Sequence, residues 1–116
     1  MKLSYITLKE SEKHPLCFSL SAVEELCDKF GGLEEMVAAI KEDSMVARVK
    51  AITTVLDILM RAGRHYCQEM GIEMPPPIKC NVGDLIDITD GSAVSAIFST
   101  MSNDTARAVE AKGKNA

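Results

Sequence analysis

Four cysteines, two histidines and three pairs of neighbouring carboxylates are the residues of this 116-residue chain that could carry chemistry. Cys17, Cys27, Cys67 and Cys80 form no Cys-x-x-Cys pair, which removes the usual redox and zinc spacings. His65 and Cys67 stand two residues apart on an expected helix, hence about 200° apart around its axis, and cannot close on one metal ion by themselves. The cysteines read as small buried hydrophobes of a reducing compartment, and no metal or cofactor site is expected. The pairs Glu24/Glu25, Glu34/Glu35 and Glu42/Asp43 would point about 100° apart on a helix, which suits solvated faces and first-turn charges better than a coupled acid and base. Asp84, Asp87 and Asp90 lack the alternating oxygens and closing Glu of a calcium loop. Neither Gly-x-Ser-x-Gly nor His-Glu-x-x-His occurs, and a cysteine nucleophile at Cys67 or Cys80 would need a thiol titrating below its reference value of about 8.5. The chain is expected not to be an enzyme. Arg61, Arg64 and His65 gather positive charge at i, i+3 and i+4, where cations complement a helix C-terminus or could hold an anion.

The elements that must position these groups follow from apolar spacing. Tyr5 to Leu8 reads as one strand, and Leu16, Phe18 and Leu20 alternate as a second, predicting an N-terminal β-hairpin over residues 2–20. Ser21 followed by Glu24 fits a capping box for a first helix through Phe30, stopped at Gly31 and Gly32. Leu33, Met36, Val37 and Ile40 mark a short second helix. Ser44 is the expected N-cap of a third and longest helix from Met45, carrying Val46, Val49, Ile52, Val55, Leu56, Leu59 and Met60 at helical period. Carried to Gly71 it would measure roughly 39 Å at ~1.5 Å per residue, so a bend near Gly63 is expected. Pro75 to Pro77 predict a stiff extended connector. Val82, Leu85, Ile86 and Ile88 suggest a fourth helix, and Asp90 caps a fifth with Val94, Ile97, Phe98 and Met101. The fold class is therefore mainly α: a small bundle of about five helices with an N-terminal hairpin, one domain over 1–102, and a partly mobile tail over 103–116.

Bulk properties agree with a single packed domain. A chain of this length can bury about two-thirds of its surface, and 47% hydrophobic with 26% charged residues excludes disorder throughout. No apolar run approaches the ~20 residues of a membrane span, and the start MKLSYITLKES has no secretory h-region, so a cytoplasmic protein is expected. Thirteen basic against seventeen acidic residues give a net charge of −4, which argues against nucleic acid as the main partner. Seven Met beside five aromatics point instead to soft, adaptable contact faces.

Three motifs carry a specific resemblance: Pro15-Leu-Cys-Phe-Ser-Leu, Phe30-Gly-Gly-Leu-Glu-Glu and Val82-Gly-Asp-Leu-Ile-Asp. In their order and spacing, over roughly Leu3 to Met101, they resemble the tail assembly chaperones of long-tailed bacteriophages and prophages, with relatives in gene transfer agents. The proline run and the cysteines depart from that pattern. The resemblance implies a non-enzymatic virion-assembly role: binding the long helical tape-measure protein and assisting polymerisation of the tail-tube protein around it. Apolar side chains on helices can meet such a partner, with Met36, Met45, Met60 and Met70 as candidates and Arg61 and Arg64 as accompanying charges. A second copy of the chain is an allowed partner. The competing reading is a small regulatory or nucleic-acid-binding helical module of a mobile element, using Lys50, Arg61 and Arg64.

Overall fold

The computed structural model describes residues 3–8, 12–87 and 91–102. Strands β1 (Ser4–Leu8) and β2 (Glu12–Leu16) form an antiparallel hairpin. Helices α1 (Leu20–Phe30), α2 (Leu33–Ile40) and α3 (Met45–Met70) follow, then a single 3₁₀ turn at Val82–Leu85 and a helix over 92–102, α4. The class is mainly helical with an N-terminal hairpin. Among the described residues there are four α-helices, not five: the segment expected as a fourth helix makes only the 3₁₀ turn, with the Asn81 side chain accepting from the Gly83 N–H at 2.9 Å. Ile88, Asp90 and the tail 103–116 lie outside the described residues.

The second strand is displaced from its expected place. Register pairs Ser4 with Leu16, Ile6 with His14 and Leu8 with Glu12, so β2 is the polar-looking run Glu-Lys-His-Pro-Leu and ends where the alternating apolar run begins. Leu16 is fully buried as its last residue, and Leu20 already belongs to α1 and is 89% exposed. The cap of α1 shifts with it: the Ser19 hydroxyl accepts from the Ala22 N–H at 3.2 Å, and Ser21 is inside the helix. The Phe30 stop stands as expected, with Gly31 left-handed at φ 91° and its N–H bonded to the Cys27 carbonyl, a conformation that costs glycine nothing.

Helix α3 is the central element. It contacts β2, α1, α2 and the 3₁₀ turn, and it runs unbroken through Gly63. Gly63 is not a bend signal but a docking point. A Cβ there would lie 2.2 Å from the Pro15 carbonyl oxygen, so the strand backbone rests directly on the helix backbone. Beside it, the Cys17 N–H donates to the Leu59 carbonyl at 3.1 Å. The core around this contact joins Ile6, Leu8 and Leu16 of the hairpin to Leu26, Met36, Ile40, Val55, Leu56 and Leu59, and Ile97 of α4 completes it. None of the described helices is long and apolar enough to cross a membrane.

His14 sits in this core at 1% exposure. Glu12 Oε2 is 3.4 Å from its Nε2, but off the hydrogen-bonding direction, and both ring nitrogens lack a hydrogen-bond partner. A buried polar group left this way weakens a fold.

Two outcomes follow for thermal or urea unfolding. Gly63→Ala must push strand from helix and is expected to lose about 3 kcal/mol. His14→Leu exchanges an unpaired imidazole for an apolar side chain and is expected to gain about 1 kcal/mol. A neutral Gly63→Ala, or a destabilised His14→Leu, would contradict the respective account.

Candidate partner-binding groove

The six candidate residues divide between core and surface. Met36 and Met60 are sealed in the core at 0% and 7% exposure and cannot meet a partner while the domain is folded. Met45 and Met70, at 58% and 62%, face solvent at opposite ends of α3. The two arginines do not form a joint cationic patch. Arg61 holds Glu25 on α1 through Nη2 to Oε2 at 2.6 Å and Nη1 to Oε1 at 3.3 Å, with Asp57 Oδ2 3.5 Å from its Nε. The hydrogen bond to Glu25, opposed by slight desolvation and helped by the charges of Glu25 and Asp57, holds the guanidinium above its ordinary value. Both partners are well exposed, so solvent screens the pair and its worth is small; its use is to orient α1 on α3. Arg64 instead donates to the Pro75 carbonyl at 2.9 Å, strapping the proline segment to the last turns of α3.

An apolar surface feature lies at the other end of α3. Every residue from Lys41 to Lys50 is exposed, and burial begins only at Ala51. Over these first two turns Met45, Val46 and Val49 project into solvent, where a core-facing stripe would ordinarily have a neighbour to cover it. A cleft of about 270 Å³ opens beside them, with Met45, Val49 and Ile52 on one wall and Ile86 and Val94 on the other. Arg48 stands on its lip and makes no ion pair among the described residues. The Ser44 side chain does not cap the helix, and the first turn holds no acidic residue. The opposite wall is fixed by the Asn81 cap on the 3₁₀ turn and by Lys41 Nζ over the Phe98 ring at 5.7 Å, which ties the end of α2 to α4.

Val46, Val49 and Ile52 read from sequence as ordinary members of the α3 core stripe. No local signal separates them: at ~100° per residue Met45, Val46 and Val49 cover no more of the circumference than Ile52, Val55, Leu56, Leu59 and Met60 downstream. Ile86 and Val94 had no local signal, because only the fold brings the 3₁₀ turn and α4 to the start of α3.

No group of His, Cys, Asp or Glu among the described residues is arranged to hold a metal ion. Burial pushes the Cys67 thiol up from its ordinary value, with Arg64 opposing more weakly, the wrong direction for a nucleophile. Comparison with family models, curated proteins and solved structures returns no match to the chain. The resemblance to tail assembly chaperones therefore rests on the three motifs.

The four thiols should separate by access. Cys80 is exposed, Cys27 half-buried, and Cys17 and Cys67 buried. Alkylation of the native protein followed by mass spectrometry is expected to modify Cys80 first and Cys27 more slowly, leaving Cys17 and Cys67 until denaturant is added; early labelling of Cys67 would contradict the packing described.

Proposed function

We propose that the protein is a non-enzymatic tail assembly chaperone of a phage or prophage, and that its groove receives the apolar face of a helix in the tape-measure protein, keeping that protein soluble while tail-tube subunits assemble around it. The observation that carries the reading is the exposed Met45, Val46 and Val49 stripe beside an apolar cleft at the start of the longest helix. A groove of this kind suits helix-in-groove recognition, in which apolar side chains at i, i+3 and i+4 anchor the partner. A cleft bordered by aliphatic side chains and a flexible methionine suits variation along a long helical partner. Apolar side chains exposed together beside an apolar cleft are what a client-binding surface would present.

The nucleic-acid reading has less support, since Arg61 faces Glu25 and Asp57, Arg64 donates to the Pro75 carbonyl, and the chain carries a net charge of −4.

Co-expression with the tape-measure product of the same gene cluster is expected to raise that product's soluble fraction and to yield a complex that elutes together. Val49→Asp and Met45→Glu, placed on already exposed positions, are expected to weaken the complex about tenfold or more, roughly 1.4 kcal/mol, without lowering the melting temperature. Unchanged solubility with no complex would sink the proposal; undiminished binding by both variants would move the site off this groove.

A further inference from the structure

The hairpin has two outer edges, and the fold treats them differently. Pro15 has no N–H to give the ladder, so it sits without loss only where its backbone faces away from β1. Two contacts agree with that direction. The Pro15 carbonyl rests against α3 at Gly63, and the Cys17 N–H, two residues on, reaches the Leu59 carbonyl of the same helix. The odd positions of β2 therefore face α3, which covers that edge. The even positions, His14 and Leu16 among them, face β1, where Ile6 and Ser4 are their partners.

By the same parity Tyr5 and Thr7, opposite Pro15 and Lys13, direct their N–H and C=O groups to the far side of β1. There, neither makes a backbone hydrogen bond outside the hairpin among the described residues. Their side chains are exposed, while Ile6 and Leu8 between and beyond them are buried. Natural edges of this kind are blunted with proline, charge or a bulge. On this hairpin Glu12, Lys13 and Pro15 all lie on β2, the edge that α3 already covers, and Ser-Tyr-Ile-Thr-Leu of β1 holds none of them.

We propose that the open edge of β1 pairs antiparallel with the same edge of a second copy, joining two hairpins into a four-stranded sheet across a two-fold axis at Ile6. In that register Tyr5 faces Thr7 of the second copy, each such pair exchanging both its backbone hydrogen bonds. An aromatic meets a β-branched residue, a favourable cross-strand pair. The symmetry sets no charge against its own image, because the strand is uncharged. The interface stands on the hairpin alone and is independent of the groove on α3.

Light scattering after gel filtration, run on the full chain from micromolar to millimolar concentration, is expected to show a mass rising from 12.6 kDa towards twice that value. Over the same range amide exchange at Tyr5 and Thr7 should slow by about tenfold or more. Thr7→Pro removes an outward donor and leaves the hairpin ladder intact, so it should stay at 12.6 kDa. Should that variant fail to fold by circular dichroism, Tyr5→Lys combined with Thr7→Lys keeps every backbone group and sets like charges across the axis; it too should remain monomeric. A wild-type mass fixed at 12.6 kDa throughout, a dimer that persists in the double lysine variant, or edge protection that arises only with a different polypeptide would each overturn the assignment.

Discussion

A strand can lie on the backbone of a helix only where the helix offers no side chain, and α3 offers that opening at Gly63. The contact sets the height of the hairpin above α3 and turns Ile6, Leu8 and Leu16 into the core. It also decides which hairpin edge is covered. The two-stranded ribbon would be marginal without this dock, and its second strand has little intrinsic preference for extended structure: Glu, Lys, His and Pro supply four of its five residues. Tertiary contact, not local propensity, makes Glu12–Leu16 a strand.

The same helix is divided along its length. From Ala51 to Cys67 it serves the core on one face, whereas its first two turns have no covering neighbour. That division lets one element hold the domain together and present an apolar surface. The walls opposite are short pieces whose positions depend on single contacts, the Asn81 cap and the Lys41–Phe98 pair. A tail assembly chaperone, if that is the protein's role, would meet its client with residues whose loss leaves the core untouched.

Helix positions were legible where breakers and period agreed. Gly31 and Gly32, Ser44 and Gly71 bound α1, α2 and α3 as spacing predicts. The hairpin forms as spacing predicts, but its second strand lies earlier than the alternation of Leu16, Phe18 and Leu20 suggests; Ser19 takes the cap two residues earlier than Ser21 would, and Leu20 is left outside. Gly63 was ambiguous in principle, since a bend and a close backbone approach both call for a missing Cβ. The methionines show the limit of periodicity: it places Met36, Met45, Met60 and Met70 on apolar stripes but cannot say where along a stripe the covering neighbour ends. Two are core and two are surface for that reason.

The dock at Gly63 also imposes an order on biosynthesis. Pro15 leaves the ribosome 48 residues ahead of its seat on α3, and at ~5 to 20 residues per second this is roughly two to ten seconds during which the ribbon has nothing to lie against. The hairpin therefore gains its helical support only after residue 63 has emerged, so the first element synthesised is ordered by one that is made later.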